Sequence, residues 1–144
     1  MGKRDVVDRV ASVVREIVST RYSDYIVYVY LFGSHVEGRA TRESDVDVAI
    51  RFYSSVPRRT RWRIIKELLK TISEDIDIVD LEKASIVLRM AVYRSGKLIY
   101  CRDNWILFLD QNKTLKLYND WLHISKPYYK RMVEYFERRD TKEV

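Results

Sequence analysis

Residues 31–50 read LFGSHVEGRATRESDVDVAI, and the two ends of this stretch decide the fold. The segment leading into it, Asp24 to Phe32, is rich in Tyr, Ile and Val and predicts a β-strand that runs out at Gly33-Ser34. A polar loop follows, and Asp45 to Phe52 then alternates strictly. Val46, Val48 and Ile50 fall on one face and Asp45, Asp47 and Ala49 on the other. The first face predicts core, the second a site. Two carboxylates two residues apart on a strand point to the same side, about 7 Å apart along the backbone, and can converge on shared cations. A glycine beside a serine at a strand end lets backbone N–H groups and a hydroxyl approach phosphate oxygens. Arg39 and Arg42, in the loop between the strands, are placed to meet outer phosphates.

Outward from this stretch, Val6, Val10, Val13, Val14, Ile17 and Val18 recur at helical spacing and predict an amphipathic helix over 5–19. Pro57 opens a second helix reaching about Ile72, with Ile65, Leu68, Leu69 and Ile72 inward and Arg58, Arg59, Arg61, Lys66 and Lys70 largely outward. Asp75 to Leu81 predicts a third strand. A helix over 82–94 is stopped at Gly96, and Lys97 to Cys101 is extended. From Asn104 the pattern is helical, with an interruption expected at Pro127. The order describes an α/β (α+β) domain with a small mixed sheet, flanking helices and a helical C-terminal extension. The expected division is a catalytic domain over 1–103 and an extension of the same domain over 104–144.

The third strand supplies a further carboxylate. Ile76 and Ile78 share its core face, so Asp75 and Asp77 lie opposite, and Asp80 falls with the isoleucines. If the open faces match, Asp77 sits beside Asp45 and Asp47, where it can complete a cage for two ions ~3.5–4 Å apart and take a proton from an incoming hydroxyl. Asp75 reads as a strand-start charge and Asp80 as a cap for the helix near Glu82. His35 reads as a loop residue, since hard cations prefer oxygen ligands. Cys101 reads as packing.

These residues, Gly-Ser, ten residues, Asp-x-Asp and a later strand Asp, resemble the DNA-polymerase-β-type nucleotidyltransferase superfamily over roughly residues 25–100. The short length further resembles its minimal nucleotidyltransferase branch, whose members often act as antitoxins beside a HEPN-domain ribonuclease toxin. The resemblance implies the nucleotidyltransferase fold, with Gly33 and Ser34 for the triphosphate, Asp45 and Asp47 for metal, and Asp77 as third ligand. It also implies two Mg²⁺ ions, ATP as substrate, and transfer of AMP to a tyrosine of the toxin. Two other readings stand beside it: transfer to a small molecule or RNA, and a non-catalytic antitoxin that neutralises its partner by binding.

Composition bounds the setting. The 144 residues are 47% hydrophobic, enough for a core without metal or disulfide support. One cysteine excludes an intramolecular disulfide or a cysteine-based zinc cluster and favours a reducing compartment. No apolar run approaches the ~20 residues of a membrane span and the start lacks a signal-peptide block, so a cytoplasmic, soluble protein is expected. The net charge of +6 favours an anionic partner. For Arg58, Arg59, Arg61 and Arg63 the first reading is a solvated face, with nucleic-acid contact second. The late aromatics, Trp105, Phe108, Tyr118, Trp121, Tyr128, Tyr129, Tyr135 and Phe136, exceed what one helical tail can hide and point to a protein-binding surface, with a complex with the partner expected.

Overall fold

The valine ridge of the first helix explains where the body of the protein forms. In the structure, a computed structural model describing residues 3–41 and 44–142, α1 spans Lys3–Arg21. Its buried ridge is Val7, Val10, Ala11, Val14 and Val18, and Val6 and Ile17 pack half-buried against the same core, so the expected stripe holds except at Val13, which is turned to solvent. This ridge packs on a four-stranded mixed sheet of order β3-β2-β1-β4, made of β1 (Ile26–Phe32), β2 (Val46–Phe52), β3 (Ile76–Asp80) and β4 (Lys97–Cys101). β1 runs antiparallel to β2 and β4, and β2 runs parallel to β3.

A parallel pair needs a crossover, and α2 (Arg58–Thr71) provides it, lying with α1 on one face of the sheet. That face holds Val29, Leu31, Val46, Val48, Ile50 and Phe52 against Ile64 and Leu68 of α2. The inward line of α2 is Ile64, Leu68 and Ile72, while Leu69 is exposed and Ile65 only half-buried, a correction to the expected stripe. The larger correction is Arg61, expected outward but buried. Its guanidinium donates to the carbonyls of Val56 (2.9 Å) and Tyr53 (3.1 Å) and pairs with Asp80 (3.1 Å) and Glu82 (2.9 Å). An arginine with that many partners satisfies its charge and pins α2 to the end of β3.

The opposite face is also covered. α3 (Ile86–Ser95) and the base of α4 (Asn104–Lys142) bury Val27, Tyr28, Tyr30, Ala49, Leu81 and Val92. The expected helix over 82–94 is two pieces, a 3₁₀ turn at Leu81–Lys83 and then α3. Two caps cause the break: the Asp80 carboxylate accepts from Glu82 N (3.2 Å) and the Ser85 hydroxyl from Leu88 N (3.1 Å). α4 runs unbroken through Pro127. In a solvent-exposed helix the proline removes its own N–H donor and the rest of the ladder persists. Only the first turns of α4 meet the body, where Leu107 and Thr114 are buried. From Asn119 to Arg139 every residue but Ser125 is exposed.

Candidate active site

Asp47 is flanked on both sides by strands. It is the register partner of Phe32 on β1 and of Asp77 on β3. Neighbouring strands lie ~4.8 Å apart, and paired residues of parallel strands share a face, so Asp47 and Asp77 stand side by side, as their parity predicts. Asp45 immediately precedes β2 and is exposed, as is Asp77, whereas Asp47 is half-buried. Asp75 is exposed at the entry to β3, where its carbonyl accepts from Val46 N (3.0 Å). Asp80 lies on the α2 side of the sheet, both a cap and the partner of Arg61.

The chain turns away from β1 at Gly33, where φ is +86°, a conformation that costs any L side chain. Steric room demands glycine as well. A Cβ at this position would lie 2.0 Å from Asp47 Oδ2, so the carboxylate occupies the space a side chain would fill. The close approach at Gly33 is therefore to Asp47 itself, in addition to any phosphate. Ser34 follows, half-buried, and its carbonyl accepts from Arg39 N (2.8 Å) while Gly33 O accepts from Glu37 N (3.1 Å), winding the loop into a turn.

His35 straps that loop. Its Nε2 bonds the carbonyl of Ser44 (2.6 Å), joining the two ends of the connection just before Asp45. Nδ1 is buried without a hydrogen-bond partner among the described residues, and the nearby ring acts against the rise of the Asp47 pKa. This positioning role has no signature beyond a histidine beside the serine, because the partner is a backbone carbonyl. Arg39 is exposed on the loop and pairs with Glu37, and Arg42 lies outside the described residues. The site residues brought together are thus Gly33, Ser34, Asp45, Asp47 and Asp77.

Burial, then the charges of Asp77 and Asp45, raise the Asp47 pKa above the ordinary carboxylate value. Three carboxylates thus feel one another at the open end of β2. Among the described residues no three His, Cys, Asp or Glu side chains are drawn into a ready-made cage, which accords with like charges holding apart. The donor set is all hard oxygen, and Gly33 leaves Asp47 its space, so the residues fit divalent cations of the Mg²⁺ kind.

Residues 15–105 match the Polymerase beta, Nucleotidyltransferase family. The chain is 36% identical over 72 residues to the protein adenylyltransferase MntA of Shewanella oneidensis, covering 50% of this chain and 52% of that protein. It is 42% identical over 65 residues to a spectinomycin 9-adenylyltransferase of Staphylococcus aureus, covering 45% of this chain and 25% of that one. The chain thus spans about half the length of the first relative and a quarter of the second. In fold it is similar to a crystal structure of a toxin–antitoxin with AMP-PNP, with a TM-score of 0.69 and 24% identity over 85% of this chain and 98% of that one. It is similar also to the chain of a structure described as tri-AMPylated Shewanella oneidensis HEPN toxin in complex with MNT antitoxin, with a TM-score of 0.66 and 21% identity over 88% of this chain and 98% of that one. With the family match spanning well over half the chain and the sheet carrying its acidic residues on adjoining strands, the protein belongs to the Polymerase beta, Nucleotidyltransferase family.

Proposed function

We propose that the chain is a metal-dependent nucleotidyltransferase that moves AMP from ATP to a tyrosine hydroxyl of a cognate HEPN ribonuclease toxin, acting as that toxin's antitoxin. The observation that carries the chemistry is the Asp47–Asp77 register pair with Gly33 closed against Asp47. The relative named protein adenylyltransferase supports the reaction, and the toxin–antitoxin neighbours support the acceptor.

In this reading Asp45, Asp47 and Asp77 hold the cations, whose charge offsets that of the triphosphate and the leaving pyrophosphate. Gly33 and Ser34 present backbone N–H groups and a hydroxyl to the phosphates. Arg39, freed from Glu37, and Arg42 are the cations for the outer ones. The acceptor hydroxyl oxygen bonds to the α-phosphorus, the bond to the β-phosphate bridging oxygen breaks, and Asp77, the more exposed of the paired carboxylates, takes the hydroxyl proton.

The working division is a catalytic domain over 1–103 with an extension over 104–144, the base of α4 serving both. The exposed aromatics of α4, Trp121, Tyr128 and Phe136 among them, form the face offered to the toxin. No helix among the described residues is long and apolar enough to cross a membrane, and a cytoplasmic setting accords with ATP as substrate. The test is transfer from α-labelled ATP, with Mg²⁺, to a co-expressed HEPN-type partner. Label should appear on a partner tyrosine and vanish in the Asp45→Asn, Asp47→Asn double variant. Wild-type labelling by that variant sinks the assignment.

A further inference from the structure

The burial of Arg61 separates it from the other cations of α2 and leaves a surface of different character. Arg59, Trp62, Arg63, Lys66 and Lys70 follow one another at helical spacing along the outer side of α2, and each is exposed. Lys83 approaches from the 3₁₀ turn across a groove of about 690 Å³ that Trp62 and Ile65 also line. None of the five cations takes an ion pair among the described residues. The three acids nearby are already engaged: Asp80 by Arg61, Glu82 by Arg61 and Arg51, and Glu67 by Arg21 and the Tyr22 hydroxyl. Positive charge on this face is therefore uncompensated.

In the middle of that charge sits an indole. Trp62 is 59% exposed, with the Lys66 ammonium over its ring, 5.8 Å from the centroid. The first turn of α2 carries no acid, and Pro57 gives it no side-chain cap, so neither offsets the positive end of the helix. A flat aromatic ring with cations along both sides is the arrangement that stacks a base and tracks a phosphate backbone. Protein interface cores are depleted in lysine, whereas a lysine-rich strip beside an aromatic ring suits a phosphate backbone with stacked bases.

From these observations we infer that the outer face of α2 binds single-stranded nucleic acid, with Trp62 stacking a base and Arg59, Arg63, Lys66, Lys70 and Lys83 meeting phosphates. From Arg59 to Lys70 the helix rises ~16 Å, a span suited to about four nucleotides, the low end of single-strand site sizes. The surface lies on the α1–α2 side of the sheet, while Asp47 shares the face of Ala49, which packs toward α3 and α4. Binding there is thus separable from nucleotidyl transfer and independent of the proposed acceptor.

Fluorescence anisotropy of the full chain with labelled 12-nucleotide single-stranded RNA, single-stranded DNA and duplex, and with polyglutamate as competitor, tests the inference. Single strands of either sugar should bind, with log Kd rising against log salt by a slope of about 3 for four neutralised phosphates. A preference between RNA and DNA identifies the natural source. Trp62→Ala should weaken binding about 10-fold or more, Trp62→Phe should retain most of it, and Arg59→Gln with Lys66→Gln should lower the slope by about 1.4. All three side chains changed are exposed, so melting should stay near wild type, as should labelling of the acceptor. The inference is overturned if single strands do not bind at 50 mM salt, if these variants leave affinity and slope unchanged, or if polyglutamate displaces the strands as well as unlabelled RNA does. The last result would identify an acidic protein as the occupant.

Discussion

Gly33 and Gly38 form a matched pair of perturbations. Both have positive φ, +86° and +77°, so alanine at either pays the cost of an L residue in the left-handed region, about 1–2 kcal/mol. Only at Gly33 does the new methyl meet anything: Asp47 Oδ2 at 2.0 Å, against nothing within 4 Å at Gly38. The Asp47 carboxylate has to rotate away by more than 1 Å, adding about 0.5–1.5 kcal/mol of rotamer cost. Gly38→Ala should therefore lower Tm by roughly 3–6 °C and Gly33→Ala by roughly 4–10 °C, modest and similar losses for a domain of this size. Activity should separate them sharply. Displacing a catalytic group by 1 Å costs about 10²-fold, so single-turnover transfer from α-labelled ATP at 20 °C, where both variants are folded, should fall at least 100-fold in Gly33→Ala and less than 5-fold in Gly38→Ala. Equal rates in the two variants would refute the claim that Gly33 acts by making room for Asp47.

Three further outcomes follow from other parts of the molecule. The raised pKa of Asp47 means the native state binds more protons than the unfolded chain between the ordinary carboxylate value and the raised one, so stability falls as pH rises through that window. Asp47→Asn should accordingly raise Tm of the metal-free protein at pH 7 and leave it unchanged near pH 3, while reducing transfer about 10³-fold or more; equal Tm gains at both pH values would show that the half-buried charge of Asp47 is not the cause. Arg61→Ala should cost about 3 kcal/mol in urea unfolding by stranding Asp80 and Glu82, and Arg61→Lys should recover little because an ammonium cannot span both carboxylates and the carbonyls; a loss below 1 kcal/mol would remove the pin. A chain ending after Lys116 keeps Leu107, Asp110 and Thr114 and should melt within about 3 °C of the full chain, yet bind its protein partner at least 100-fold more weakly; unchanged affinity in pull-down titration would clear the outer part of α4 of that role.

The acidic strands were readable because a strand has period two. Once Val46, Val48 and Ile50 are assigned inward, Asp45 and Asp47 have one place to go, and the same parity orders Asp77 and Asp80 on β3. Parity does not reveal that the second face of the sheet is covered too. β1 is buried almost throughout, and its Tyr28 and Tyr30 sit in the second core because α3 and α4 reach back across it. Tyr28 shows why sequence alone is silent there: its hydroxyl is held by Tyr93 (2.6 Å) and Asp110 (2.7 Å), 65 and 82 residues away. Arg61 fails for the same reason. Helical periodicity sorts residues by polarity, and a guanidinium reads as outward until a carboxylate on another element is known to meet it.

The boundary of the catalytic unit is the place where that silence matters most. Up to residue 103 the chain supplies every strand of the sheet among the described residues and every carboxylate of the proposed site, which makes Asn104 look like the start of an appendage. The structure ties the base of α4 into the sheet instead. Asp110 accepts from Arg51 Nε at 2.8 Å as well as from the Tyr28 hydroxyl, and Arg51 lies on β2 four residues beyond Asp47, on the same strand. The helix that carries the exposed aromatics is thus fastened by a half-buried ion pair to the strand that carries the half-buried carboxylate. A rigid helix gripped at its base fixes whatever binds its outer turns in a set direction relative to that strand, and orientation of an acceptor is worth several powers of ten in rate. If the proposed transfer to a protein acceptor holds, α4 is a positioning arm built onto β2, and loosening Arg51–Asp110 should cost that transfer more than it costs the affinity for the acceptor.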